Sequence, residues 1–436
     1  MAARDQFVWR FFMYSKKRSP WRARFVARFC VLSACFALGS AHAQNTLSLD
    51  AALRMALEHS QTLAAKDQAV LAAQALSVAA AQLPDPSLKL GVNNLPVTGA
   101  DKYSLTRDFM TMRSVGLAQE WVRADKRQAL SARYDSEAQV ALAQRRMSEQ
   151  DIQRETAQAW LTLHFQQRVH QLLNQQSQEM ALQLQSVQAA YRVLKASQTD
   201  VLAARLALAQ VKDQLAQSQR LLALGQTQLM RWTGSDVVQA LDDLPDFKSL
   251  HWQVDDLQSL NDHHPTLVVM QKAEAVAQAE LDLAKANRRP NWSAELMFNK
   301  RGSEFSDMVS LNFSRPLQWN AGNLQEREVA AKTAALAQLQ ADRLEASREH
   351  LAQVSAVVQT WRSNQARLQE FEATQLPLAQ LRKQAAEVAY KNASGSLNDV
   401  LQTRRMALET QMDYLRLALE TAQQWAQLNY LTPGRN

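Results

Sequence analysis

The sequence predicts a mainly α-helical chain with coiled-coil character, four short β-strands suited to a membrane, and two internal structural repeats. Three observations carry this. Ten glycines and ten prolines are few for 436 residues, and neither type occurs between Gly116 and Gly225, a stretch rich in the helix formers Ala, Gln, Leu and Arg. Apolar residues recur every seven positions, as coiled coils require. Four segments of strict apolar–polar alternation interrupt the helical pattern, each beside a proline or a tryptophan.

In chain order, residues 1–43 read as a signal peptide. Eight basic side chains and one acid here account for the whole net charge of +7. The rest of the chain is formally neutral, which removes the case for a nucleic-acid partner. The basic stretch ends at Arg28, an apolar run follows from Phe29 to Leu38, and Ala41-His42-Ala43 offers a cleavage site. Leu32-Ser33-Ala34-Cys35 offers a competing lipoprotein site, and Met13 a second start. Both cysteines, Cys30 and Cys35, lie in this segment, so a chain cut after Ala43 has no thiol chemistry and no disulfide.

Residues 44–234 form a first repeat, expected as helix–strand–strand–long helix–helix, and 257–436 a second. At an offset of 204, Leu53, His59, Thr62, Leu63 and Pro86 fall on Leu257, His263, Thr266, Leu267 and Pro290; at 199, Tyr191, Asp200, Val201, Leu202 and Arg205 fall on Tyr390, Asp399, Val400, Leu401 and Arg404. An acidic connector, 235–256, joins the repeats; from Ser235 to Asp262 seven aspartates meet one lysine, Lys248. The heptad rows are Leu49, Ala56, Leu63, Val70; Leu173, Met180, Val187, Leu194; Val201, Leu208, Leu215, Leu222, Leu229; and Leu401, Leu408, Leu415 with Met412 and Leu419. One helix is expected from Arg123 to Ala196.

The alternating segments are Ser87 to Leu95, Ser114 to Trp121, Trp292 to Phe298 and Val309 to Phe313. Strands of about nine residues suit a tilted bilayer crossing. Trp121, Trp292 and Trp319 sit at strand ends, where interfacial aromatics anchor membrane strands and where a soluble core would also take Trp. Four strands cannot close a barrel, and lipid does not tolerate open edges. Three copies supply twelve strands, so a homotrimer set in outer-membrane lipid is expected.

The paired segments Tyr191-Arg192-Val193-Leu194-Lys195-Ala196-Ser197-Gln198-Thr199-Asp200-Val201-Leu202 and Tyr390-Lys391-Asn392-Ala393-Ser394-Gly395-Ser396-Leu397-Asn398-Asp399-Val400-Leu401, with the duplicated element order and the proline breaks, resemble the TolC-type outer-membrane efflux channels. The likeness covers essentially the whole chain beyond the signal. It implies an antiparallel coiled-coil α-barrel below a twelve-stranded trimeric β-barrel. It further implies a passive exit duct served by a periplasmic adaptor and an inner-membrane pump. The turns Ala196-Ser197 and Ser394-Gly395 would be the periplasmic tips. Asp200 and Tyr390 match positions that hold the family's closed tip, and Asp399 an acidic position ringing its narrowest point. The family's Arg partner falls at Gly395, and a second acidic position at Gln402. Helix capping after a turn explains both aspartates equally well. Leu83-Pro84-Asp85-Pro86 and the segment Met110 to Glu120 resemble the heavy-metal branch, with drug efflux or protein secretion as the alternative cargo.

No zincin, nucleophile-elbow, Walker or dinucleotide motif occurs, so neither an enzyme nor a cofactor is expected. Met110 and Met112 are read as loop and strand residues rather than metal ligands. A soluble periplasmic coiled-coil adaptor or scaffold is the competing class; it accounts for the heptads but not for two hairpins and four strands.

Overall fold

The structure is a computed structural model; residues 46–235, 239–240, 243–250, 252 and 257–431 are described. The expected signal segment, with both cysteines and the competing cleavage sites, lies outside them. The described residues belong to one compact unit, Asn45–Asn436. Its order is β1 (Thr46–Leu47), α1 (Leu49–His59), α2 (Gln61–Ala80), β2 (Ser87–Asn93), β3 (Met112–Trp121), α3 (Ala124–Arg192), α4 (Gln198–Thr233) and β4 (Gln239–Ala240). The second half continues with α5 (Leu257–Asp262), α6 (Pro265–Asn287), β5 (Trp292–Lys300), β6 (Met308–Ser314), α7 (Gln325–Glu370), α8 (Leu376–Lys391) and α9 (Leu397–Asn429). The helix-pair, strand-pair, long-helix order thus occurs twice.

With 69 residues, α3 runs for roughly 100 Å at 1.5 Å per residue. It stops at Arg192, short of the expected Ala196, because Leu194 enters the left-handed region at φ 60°. The seam residues Leu173, Met180 and Val187 are buried as their spacing predicts, but Leu194 at the fourth step stands 92% exposed in the turn. Leu173 and Met180 meet Val211 of α4 and Leu408 of α9 in one cluster, which Leu208, Leu215, Leu401 and Met412 flank. The row from Leu49 to Val70 is divided by Ser60, whose hydroxyl accepts the Leu63 N–H at 3.2 Å and starts α2. In the second half the long helix is interrupted by a π turn, Phe371–Gln375, just before Pro377. Proline has no N–H to continue the helical ladder and crowds the preceding turn, so the break falls where the chemistry demands it.

The main core lies partway along the helices. Trp160, Leu161, Leu163 and Phe165 of α3 pack with Leu229 of α4, Trp361 and Leu368 of α7, and Trp425 and Leu428 of α9. The described part of the acidic connector packs onto this core through Leu244, Phe247, Leu250 and Trp252. Indole N–H groups pin it there: Trp361 donates to the Phe247 carbonyl at 3.2 Å, Trp425 to Ser249 at 2.9 Å, and Trp252 to Leu428 at 3.3 Å. β4 pairs in parallel with β1, next to Trp160, whose indole donates to the Leu47 carbonyl at 2.7 Å.

The four longer strands form an antiparallel sheet in the order β2-β3-β5-β6. They fall within a few residues of the alternating segments, and prolines flank β2, β5 and β6. No helix among the described residues is long and apolar enough to cross a membrane.

Candidate functional site: the apolar sheet and the helical tips

Two regions stand out, at opposite ends of the long helices. The first is the sheet. Its register places Leu88, Leu117, Leu296 and Leu311 in one row across all four strands, and Leu90, Val115, Phe298 and Val309 in the next. All eight are exposed, by 43 to 73%. Water would not leave such a face bare. The opposite face carries a polar relay. Asn93 donates to the Ser114 hydroxyl at 2.7 Å, Ser114 to Asn299 Oδ1 at 2.6 Å, and Asn299 Nδ2 to Ser310 at 2.9 Å. One face therefore presents exposed apolar side chains and the other a hydrogen-bonded polar chain. Gly116 sits between them, where a Cβ would collide with the Leu296 carbonyl and with Met297.

Trp121 and Trp292 are directly paired at the end of the sheet nearest the helices, 47% and 48% exposed. The Arg315 guanidinium lies 5.1 Å from the Trp292 ring centre. Trp319, just beyond β6, is 89% exposed. None of the three belongs to the buried core. Of the two methionines set aside as ligands, Met112 opens β3 and Met110 is exposed in the preceding loop. Among the described residues no group of three or more His, Cys, Asp or Glu converges on a metal position.

The second region is the pair of helix turns. In each, the N–H of a left-handed residue returns to a carbonyl three positions back: Leu194 to Tyr191 at 3.0 Å, and Ala393 (φ 58°) to Tyr390 at 3.1 Å. The next N–H reaches five back, Lys195 to Ala190 and Ser394 to Ala389, each at 2.9 Å. This double bond pattern closes a helix C-terminus, here without the usual glycine. Gly395 serves a different need: a Cβ there would lie 3.0 Å from the Ala389 side chain, so the second turn folds against its own helix. Ala196 occupies the matching place in the first.

Asp200 and Asp399 are not the capping residues themselves; they are the third residues of α4 and α9. Ser197 and Ser396 are the caps, and each pair forms a reciprocal box. Asp200 Oδ2 accepts from the Ser197 N–H at 2.8 Å and its hydroxyl at 2.7 Å; Asp399 Oδ2 accepts from Ser396 at 3.2 and 2.7 Å. These bonds hold both carboxyls below the ordinary carboxylate range. The backbone donor leads at Asp200 and the hydroxyl at Asp399. Tyr390 packs on a cluster of Val187, Val201, Ala204 and Leu397, which brings both hairpins together at the tip. Its repeat mate Tyr191 is 44% exposed. Asp200 makes its bonds within its own turn rather than to Tyr390.

One contact between the hairpins is not legible in the sequence. Above the tip, Arg404 of α9 pairs with Glu387 of α8 at 2.7 Å and reaches Glu179 of α3 at 3.6 Å; Lys383 lies 3.9 Å from the same Glu179. Glu387 and Arg404 lie on the two arms of one antiparallel hairpin, on either side of the Asn392–Ser396 turn, and the link to Glu179 joins that hairpin to the first.

The sequence matches no family model and no curated protein. The fold does match solved structures. The outer-membrane channel OprN aligns at TM-score 0.74 with 16% identity, covering 88% of this chain and 90% of its own. The outer membrane protein VceC from Vibrio cholerae aligns at 0.71 with 17% identity, covering 89% and 97%. The open state of the Neisseria gonorrhoeae MtrE outer membrane channel aligns at 0.69 with 14% identity, covering 88% of each chain. The chain has the fold of these outer-membrane channel proteins, with the sheet and the helical tips in one protomer.

Proposed function

We propose that the chain is one third of a homotrimeric outer-membrane duct. It would be a passive, non-enzymatic exit path for a tripartite efflux system with a periplasmic adaptor and an inner-membrane pump. The observation that carries this reading is the sheet: one face exposes eight apolar side chains in two rows, and β2 and β6 leave open edges. Open edges are not tolerated in lipid, so β6 of one copy must pair with β2 of the next, and three copies close twelve strands. The polar relay then lines the lumen, and Trp121, Trp292 and Trp319 sit at the periplasmic interface. The tips lie in the periplasm. There Asp399 rings the entrance, while Asp200, Tyr390 and the Glu179–Arg404–Lys383 contact hold the hairpins closed.

Membrane fractionation with cross-linking tests the duct. The chain is expected in the detergent-soluble outer-membrane fraction, cross-linked to three times its protomer mass, and conducting in planar bilayers. Release with soluble periplasmic protein would favour the scaffold class instead. The cargo we assign, heavy-metal cations, rests on the Leu83–Pro86 and Met110–Glu120 segments. A gene deletion should sensitise cells to zinc, cobalt, cadmium or copper; sensitivity to drugs alone would replace that cargo.

A further inference from the structure

One row above the two apolar rows, the same face of the sheet changes character. Val92 pairs with Arg113, and Arg113 pairs with Lys300. Their positions share the parity of Leu90, Val115 and Phe298, so both cations are on the apolar face, at the end of the sheet away from the helices. Directly opposed residues on antiparallel strands have Cβ atoms about 4.5–5.5 Å apart, and like charges so placed repel. Neither cation forms an ion pair among the described residues. Arg113 gives one guanidinium N–H to the Arg301 carbonyl at 3.1 Å, and its Nε is buried with no acceptor. Lys300 is exposed. The carboxylate nearest by register, Asp307, takes the Arg301 backbone N–H at 3.4 Å and leaves Lys300 unpaired. The Arg301 guanidinium is occupied in tying the two hairpin loops together, donating to Ser306 and Phe109 carbonyls at 3.0 and 3.1 Å. Asp108 is committed to the Met110 and Thr111 N–H groups, and Asp101 to Arg107. Glu304 is the remaining loop carboxylate.

A repelling pair of cations, one row beyond the two apolar rows of the sheet, lacks an anion. We infer that Arg113 and Lys300 form a binding site for a phosphate-bearing lipid of the outer leaflet. Its acyl chains lie on the Leu90–Val115–Phe298–Val309 row and its phosphate bridges the two cations. Arginine suits the task because its planar fork meets two phosphate oxygens at once, with lysine adding a second charge. The opposite end of the same face carries Trp121 and Trp292 and no such pair, so the site would also fix which end of the sheet faces outward. This inference rests on the reading that the sheet is set in the outer membrane.

The test titrates the full chain in neutral detergent with lipid A, with its dephosphorylated form, and with inorganic phosphate, by native mass spectrometry. Wild-type protein should bind lipid A at least tenfold tighter than the dephosphorylated form, with inorganic phosphate failing to compete at equal concentration. The double substitution Arg113→Gln, Lys300→Gln should lose that preference, and Lys89→Gln on the opposite face should keep it. Without lipid, the double variant should melt close to wild type, because it loses one repulsion together with the Arg113 bond to the Arg301 carbonyl. An unchanged preference for phosphorylated lipid in the double variant would overturn the site while leaving the duct reading intact. A wild-type chain absent from the outer membrane and binding no lipid would overturn both.

Discussion

The contact between Glu179 and the second hairpin is the most direct handle on the tip. Glu179 lies 3.6 Å from Arg404 and 3.9 Å from Lys383, and its own side chain is 43% exposed. At such separations an effective dielectric of about 20 gives roughly 4–5 kcal/mol of gross attraction per pair. Solvent screening and side-chain entropy reduce partly exposed pairs to about 0.5–1 kcal/mol net. Glu179→Gln removes only this cross-hairpin term, because Arg404 keeps Glu387. If three copies release together, closure weakens by about 1.5–3 kcal/mol, roughly a tenfold to a hundredfold rise in open fraction. Glu179→Lys adds repulsion against both cations and should open further. The assay is single-channel current in planar bilayers, with trimer mass checked first. Glu345→Gln serves as control, since Glu345 pairs only along its own helix with Arg348. Unchanged current for Glu179→Lys in an intact trimer would refute the assignment of this contact to the closed state.

Three further outcomes are expected. Asp399→Asn should lower cation preference with little loss of stability. Ser396→Ala should keep the preference but destabilise the tip by about 1 kcal/mol, the usual cost of a lost cap, read by chemical denaturation of the two variants. Gly116→Ala should block strand pairing through the Leu296 carbonyl and Met297, giving helical but non-conducting protein by circular dichroism and bilayer recording. The third concerns pH. His264 stacks on His350 with ring centres 3.7 Å apart. Burial first, then the nearby His350 and Arg154 charges, push His264 down to about 4, and burial lowers His350 too. His264 is held below its unfolded value of about 6.5, so its contribution is complete above about pH 6.5 and is lost as pH falls through about 4. Discounted for partial exposure, the loss for His264 is of order 1 kcal/mol. Melting temperature should drop across that window in wild type and less in His264→Phe.

What the sequence disclosed and what it hid follow from the range of each interaction. The strands were legible because alternation and proline are local signals. The tips were legible because Tyr191 to Leu202 recurs as Tyr390 to Leu401, and one copy vouches for the other. The end of α3 was hidden because Leu194 adopts left-handed backbone, which only glycine usually advertises. The packing of Phe247 and Trp252 was hidden because indole-to-carbonyl bonds join residues more than a hundred positions apart. An acidic run reads as a linker until its few apolar residues are seen to be anchored. The opposition of Arg113 and Lys300 was hidden in the same way, since it depends on the register between strands of different repeats.

Comparison of the two hairpins separates what folding requires from what it leaves free. Ser197 and Asp200 recur as Ser396 and Asp399 with the same reciprocal bonds, so a purely structural demand would retain them. The differences are not demanded in this way. Arg205 has Gln188 across its hairpin, whereas Arg404 has Glu387. Ala196 stands where the second turn has Gly395. The first hairpin descends as one unbroken 69-residue helix, whereas the second is interrupted at Phe371–Gln375. There Tyr414 donates to Glu372 at 2.8 Å, burial and that carboxylate pushing its phenol up to about 12, and Lys248 meets the same Glu372 at 3.4 Å. A helix with a π turn bends more readily than a regular one, and the interruption lies above the hairpin whose arms are joined by the Arg404–Glu387 pair. In the proposed duct the second hairpin would tilt as a unit about the interruption, held internally by Arg404–Glu387 and released from the first at Glu179. One unbroken and one interrupted hairpin would then let the proposed gate open without unfolding either turn.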